Sequence, residues 1–305
     1  MSDTPHKHRN KPFIGVIGGT GLEQALGVDE SDATLAHAFP DTPFGKPSAP
    51  ITVAKWHGHD VAILKRHGVG HVHSPSHVPY RANIFALKML GVTHIVASGA
   101  TGSLREAYEP GHIVIVDQVI DKTYKREQSF FEKAVVHVEM AQPFCPVMRR
   151  WLLEASKGVT STRVHDRGTY VCMEGPAFST KAESNMHRQW GGDLIGMTAM
   201  PEAKLAREAE IAYALIGLPT DYDCWKPHDS HANAGDLLNE IIANLKKASA
   251  AGVELIKLAL ENTQMLADEP SPAHVALKLG MWSDRSHIDP AEIAKLEPIW
   301  GRYFK

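Results

Sequence analysis

The sequence predicts an α/β domain with a central sheet flanked by helices. Three observations carry this: apolar runs of strand length recur along the chain, loops of small residues follow several of them, and segments of helical period lie between. With 305 residues the chain can bury a substantial core, as one large α/β domain or two small ones. Apolar content of 43% and charged content of 22% are ordinary for a soluble globular protein. A net charge of −3 supplies no basic field for nucleic acid. No apolar run reaches the roughly 18 residues of a membrane span. Residues 1–11 are polar, lack the apolar stretch of a secretory signal, and are expected to form a disordered tail. Cys145, Cys172 and Cys224 are odd in number and far apart, which points to free thiols in a reducing cytoplasm.

Residues 12–17 read as a short strand running into Gly18, Gly19, Thr20 and Gly21. Glycines after a strand let backbone N–H groups approach an anion, and a threonine hydroxyl adds a donor. A dinucleotide fingerprint needs a third glycine at a fixed place, which is missing here. Residues 34–60 hold short strand-like pieces separated by turn signals. Residues 61–64 form another strand, ending in Lys65, Arg66 and His67. Cations at a strand's carboxyl end suit an anionic ligand, and arginine binds phosphate through a bidentate fork.

His67, His71, His73 and His77 invite a metal reading. No acids or cysteines are adjacent, and Gly68, Gly70 and Pro75 make the stretch a loop, so a metal-free active-site loop is expected. Residues 79–90 are a helix stopped by Gly91. Residues 94–97 are a strand, expected to enter a small-residue loop over 98–104. Residues 113–116 are a buried strand. Residues 121–145 show no period, and so long a loop in a compact domain is usually functional or intersubunit. Helices are expected over 147–156, 181–190 and 203–210, with strands over 168–173 and 194–195.

The apolar run 211–219 crosses the core as a strand and delivers Asp221 and Asp223. In an extended segment these two project the same way. Beside a buried strand they are desolvated and close together, so at least one is expected to hold its proton near neutral pH. A protonated and an ionised carboxyl offer one donor and one acceptor, the complement of a 6-aminopurine edge, where N7 accepts and the amine donates. Spacing alone favours the plainer reading, ordinary loop acids after a strand.

The segments 13–22, 66–68, 102–104, 140–146, 174–179, 196–198 and 220–225 together resemble the S-methyl-5′-thioadenosine phosphorylases, a branch of the trimeric purine nucleoside phosphorylases. The likeness runs over about residues 12–260. It implies one nucleoside phosphorylase domain over 12–265, built on a twisted mixed central sheet, with a helical extension over 266–305. It implies a pentosyltransferase of purine and methionine salvage, in which 5′-methylthioadenosine and phosphate give adenine and 5-methylthioribose 1-phosphate. The alternative within the fold is a broader adenosine or 6-oxopurine phosphorylase. Carried over by position, Thr20, Arg66, His67 and Thr198, with backbone at Gly99 and Ala100, look like the phosphate site. Met197 looks like the ribose contact, and Phe178 and Ser179 like base-site residues. Asp221 looks like the general acid at N7, and Asp223 like the partner of the 6-amino group. His137 looks like a residue that crosses a subunit boundary to the 5′ pocket, which Ala234 lines. The resemblance implies a homotrimer or dimer of trimers, inorganic phosphate as co-substrate, and neither cofactor nor metal.

Some positions depart from that pattern. Gly99 stands where threonine is frequent, Thr101 where cysteine is common, and Ala232 and Ala234 where bulkier apolar residues usually line the 5′ pocket. Residues 235–261 read as a long amphipathic helix with Leu237, Leu238, Ile241, Ile242, Leu245 and Ala248 facing the core. A short helix is expected over 273–281, and Asp289 and Pro290 form an N-cap and N1 pair. The extension is expected to pack over the nucleoside cleft or a neighbouring subunit, because Leu277, Leu279, Met281, Trp282, Ile299, Trp300, Tyr303 and Phe304 need burial. A non-catalytic nucleoside-binding module is the rival of another class.

Overall fold

Two long neighbouring strands, β5 (His94–Ser103) and β11 (Ala212–Asp221), organise the sheet. They run parallel from the His94–Ala212 pair to the Gly102–Asp221 pair, with a bulge between Pro219 and Asp221. The computed structural model describes residues 11–19, 36–227 and 234–305. The tail expected over 1–11 therefore lies outside the described residues except for Lys11, and so do Thr20, Gly21 and Ala232.

The strands β1 (Ile14–Gly18), β2 (Ala36–Ala38), β3 (Ile51–Trp56) and β4 (His59–Lys65) line up on one side of β5 in the order β2-β3-β4-β1-β5. β1 is parallel to both β4 and β5. Beyond its first half β5 exchanges β1 for β10 (Leu194–Gly196), which runs antiparallel to it and leads on to β9 (Thr169–Cys172) and β7 (Gln118–Asp121). On its other edge β11 pairs with β6 (Ile113–Ile115), which carries the two-residue β8 (Val164–His165). The result is a mixed eleven-stranded sheet in one domain. β5 and β11 are buried nearly end to end, as expected of strands covered on both faces.

The helices are α1 (Tyr80–Met89), α2 (Pro146–Ser156), α3 (Lys181–Gln189), α4 (Ala199–Glu208), α5 (Ala234–Leu260), α6 (Gln264–Asp268), α7 (Pro290–Lys295) and α8 (Glu297–Trp300). α1 and α4 cover one face of the sheet, and α2 and α5 the other, each over its own apolar cluster. Thr180 caps α3 with a reciprocal box, its hydroxyl accepting from Glu183 N while the Glu183 carboxylate accepts from Thr180 N. Among the described residues no helix is long and apolar enough to cross a membrane.

The structure corrects four sequence expectations. Residues 98–103 continue β5 as strand and are not a loop, because their small side chains let β10 and β11 close on both edges. β7 and β8 are strands that the sequence reading left unassigned. The stripe on α5 is not core-facing throughout. Leu238 and Ile242 are exposed, and full burial begins at Ala248. The reason is reach: Asn244 Nδ2 donates to the Thr220 carbonyl near the end of β11, so the residues before Asn244 run past the sheet that would bury them. Residues 273–281 form a single 3₁₀ turn (Pro272–Val275) and further turns, not an α-helix. There the Leu277 amide donates to Glu210 Oε1 instead of continuing a helical ladder.

The extension buries much of its apolar surface on its own protomer. Leu277, Leu296, Ile299 and Trp300 join the core that contains α1 and the 130–131 segment. Trp300 lies 5.0 Å from Phe131 and 5.2 Å from Phe304 between ring centroids, and its indole N–H donates to the Ile293 carbonyl. Trp300→Ala is expected to cost about 3–5 kcal/mol in urea unfolding. A loss under about 1 kcal/mol would mark the segment as a surface appendage. Leu279 and Trp282 remain 86% and 71% exposed.

Candidate active site

β1, β4, β5 and β11 are mutually parallel neighbours, so their carboxyl ends open on one side of the sheet, where open α/β sheets hold ligands. Arg66 follows β4 directly and is completely buried. Its Nε and Nη2 donate to the two carboxylate oxygens of Glu202, at 2.7 and 2.8 Å, and Nη1 donates to the Ser98 carbonyl at 2.7 Å. The end of β1 passes over this group: a Cβ on Gly19 would lie 2.7 Å from Arg66 Nη1 and 2.8 Å from the Ser98 oxygen, so only glycine fits.

Thr198 closes the same corner. It follows β10 and is buried, and a Cβ built on Gly99 would sit 3.5 Å from its hydroxyl. Gly99 and Ala100 belong to β5. His67 is buried beside Arg66 and stacks on His71 with centroids 4.3 Å apart. Its Nδ1 lies 2.8 Å from the His73 carbonyl, an acceptor, so Nδ1 carries the proton and donates. Burial, aided by the Arg66 charge, pushes His67 down to about 4. The ring is therefore neutral at physiological pH, and Nε2 presents a lone pair. Among the described residues no three histidine, cysteine, aspartate or glutamate side chains are arranged to hold a metal ion.

The acid pair sits farther along β5. A Cβ on Gly102 would lie 3.1 Å from Asp223 Cβ and 3.3 Å from Asp221 Oδ1, so both acids converge on that glycine. The extended geometry that would point both acids the same way is not met. β11 ends at Asp221, and Asp223 has a left-handed backbone with φ of 51°. Asp221 Oδ1 accepts from the Asp223 amide and Oδ2 from the Thr220 hydroxyl, both at 2.7 Å, which makes an Asx turn that folds the second acid back beside the first. Burial lifts the Asp223 carboxyl above its ordinary range, against the nearby Ser184 hydroxyl, and the Asp221 charge adds to the lift. Asp223 Oδ2 is buried without a hydrogen-bond partner of normal geometry.

Around the pair, Cys224 Sγ donates to the Ser179 carbonyl and Trp225 Nε1 to the Ser103 carbonyl, which ties the 174–180 loop and β5 to the turn. Phe178 is 85% exposed. Met197 packs across Gly175, whose φ of 67° and lack of a Cβ are both required, since a Cβ would meet Met197 Sδ at 2.5 Å. His137 is exposed in the 121–145 loop. Its ring meets Trp282 edge-on at 5.2 Å and its amide donates to the Gly280 carbonyl, so the extension carries this arm. Thr20 lies outside the described residues, and so does the side chain of Ala234.

Three buried groups escaped the sequence reading. Glu202 and Tyr213 stand behind Arg66. Arg126 donates to the carbonyls of Met197, Met200 and Glu174 and to the Glu174 carboxylate, clamping the two turns that carry Met197 and Phe178. The available signal was a charged residue inside an otherwise apolar helical stretch, as Glu202 is among Ala199, Ala203, Leu205 and Ala206.

A family model described as the phosphorylase superfamily matches residues 13–261. An S-methyl-5′-thioadenosine phosphorylase of a Synechocystis species is 44% identical over 297 residues, covering 95% of this chain and 87% of that protein. Another from Gloeobacter violaceus is 45% identical over 294 residues, covering 95% of each. Among solved structures, a methylthioadenosine phosphorylase sourced from an Antarctic soil metagenomic library is 42% identical with a TM-score of 0.82, over 95% of this chain and 99% of that one. The methylthioadenosine phosphorylase of Schistosoma mansoni, in complex with adenine, is 33% identical with a TM-score of 0.77, over 89% of this chain and 99% of that one.

Proposed function

The chain belongs to the phosphorylase superfamily, among the S-methyl-5′-thioadenosine phosphorylases, and from that premise we propose how its residues carry out the reaction. The enzyme is a pentosyltransferase that converts S-methyl-5′-thioadenosine and inorganic phosphate to adenine and 5-methylthioribose 1-phosphate. One observation supports the residue roles above the rest. The corner of Arg66, Gly99 and Thr198 and the acid pair at Gly102 lie three residues apart on β5, about 10 Å at the rise of a strand. That span suits a nucleoside with phosphate at one end and purine at the other.

Phosphate bound by Arg66, Thr198, Thr20 and the backbone at Gly99 and Ala100, with its own O–H donating to the lone pair of His67 Nε2, faces C1′ of the ribose, which rests on Met197. As the C1′–N9 bond stretches, positive charge grows on the sugar and the anion stabilises it, then bonds to C1′. The electron pair of the broken bond goes to the purine, and a proton delivered to N7 neutralises it. When the 6-amine donates to Asp223 it favours the charged form of that acid, and Asp221 is the group that delivers the proton to N7. Phosphate is the co-substrate and the chemistry needs no cofactor. Phe178 and Ser179 cover the base.

His137, which is exposed, and Ala234 belong to the 5′ pocket in this reading, with His137 supplied by a neighbouring copy in a homotrimer or dimer of trimers. The exposed Leu279 and Trp282 beside that arm support such a contact. Three free cysteines support a cytoplasmic location.

A substrate panel tests the assignment. Phosphate-dependent release of adenine from S-methyl-5′-thioadenosine is expected to exceed release of hypoxanthine from inosine about 10⁴-fold in kcat/KM, because a 6-oxygen sets an acceptor against an ionised Asp223. Comparable rates would remove the base-reading role of the pair. Turnover without phosphate would remove phosphorolysis.

A further inference from the structure

Arg66 has five N–H donors, and three of them are already committed inside the protein. Glu202 takes the side-on pair, Nε and Nη2, and the Ser98 carbonyl takes one N–H of Nη1. Glu202 is as completely buried as Arg66. It is itself held from behind, since the Tyr213 hydroxyl donates to its Oε1 at 2.8 Å. The three side chains come from the end of β4, from α4 and from β11, so the unit spans the sheet and one covering helix. Burial works against the charge on Arg66, but Glu202 outweighs it and the guanidinium stays ionised. Burial keeps Tyr213 a phenol, and so a donor.

We propose that Glu202 and Tyr213 are positioning residues for the phosphate step: they fix the plane and rotation of Arg66 so that its end-on N–H pair alone faces the anion. An arginine with free rotation would spend its fork on several geometries and lose entropy on binding. One held by a bidentate carboxylate meets phosphate with a preformed fork. The inference rests on Arg66 being a phosphate ligand. Its rival is an ion pair that serves only to fill the core.

Charge-conserving variants separate the two. Glu202→Asp keeps the charge but is one methylene too short for both Nε and Nη2. Tyr213→Phe keeps shape and charge and removes only the hydroxyl that orients Glu202. With phosphate and S-methyl-5′-thioadenosine varied in turn, KM for phosphate is expected to rise about tenfold or more in Glu202→Asp and about fivefold in Tyr213→Phe, the scale of one hydrogen bond, with KM for the nucleoside within about twofold. Arg66→Lys, measured alongside, should raise KM for phosphate on its own. An unchanged KM for phosphate in Arg66→Lys would remove the phosphate-ligand reading itself. A raised value there, with phosphate KM unmoved in folded Glu202→Asp and Tyr213→Phe, overturns the positioning role alone. So does a fall in kcat and a rise in both KM values that merely track a lowered melting temperature. If Glu202→Asp does not fold, Tyr213→Phe decides by the same criterion.

Discussion

Asp221→Asn is expected to lower kcat/KM for S-methyl-5′-thioadenosine by about 10²–10⁴-fold, the scale lost with a general acid. The substitution is close to isosteric. An asparagine oxygen still accepts from one of the two groups that hold this side chain, the Thr220 hydroxyl and the Asp223 amide. What disappears is the transferable proton at N7, so the effect falls on kcat more than on binding of the nucleoside. A nucleoside already alkylated at N7 carries positive charge on its base and needs no proton to leave. With such a substrate the variant is expected to lose far less. Near-normal activity of Asp221→Asn on S-methyl-5′-thioadenosine would end the assignment of Asp221 as the acid.

The acid pair also shows where sequence reasoning stops. Strand and site order were legible because apolar runs and small-residue segments are local signals: β1, β4, β11 and the helix over 80–89 fall within a residue or two of their expected bounds. The turn that reverses Asp223 was not legible, because its φ of 51° comes from an Asx hydrogen bond and not from alternation. The small residues 98–103 read as a loop for want of side chains, whereas strands on both edges make them the spine of the sheet. The face of α5 was misread ahead of Asn244, where the apolar period is already present but the sheet is not beneath it. The ion pairs behind the site join residues 136 apart in Arg66 and Glu202 and 48 apart in Arg126 and Glu174. No spacing rule reaches across such distances.

The second of those pairs yields the other large expected effect. Arg126 is buried beneath the Met197 and Glu174 turns and donates to three main-chain carbonyls, the Glu174 carboxylate and the Tyr80 hydroxyl oxygen. Arg126→Met leaves a buried carboxylate without its cation and three carbonyls without their donors, and is expected to cost about 3–5 kcal/mol in urea unfolding. Activity should fall as well, since Met197 and Phe178 sit on the turns that Arg126 ties together. Adding Glu174→Gln to Arg126→Met separates charge from hydrogen bonding. If the uncompensated carboxylate dominates, the double variant is more stable than the single one. Acid gives an independent reading. Burial opposes ionisation of Glu174, but the Ser76 hydroxyl, the amides of Tyr124 and Lys125, and then Arg126 hold it down to about 2. A depressed carboxyl stabilises the fold above its ordinary value of 4.5, and that contribution is lost as pH falls toward about 2. Without Arg126 the group titrates nearer its ordinary range, so the acid limb of the stability profile is expected to move to higher pH. An unshifted acid limb with full stability in Arg126→Met would show that the amides and Ser76 hold Glu174 unaided and that Arg126 does not anchor these turns.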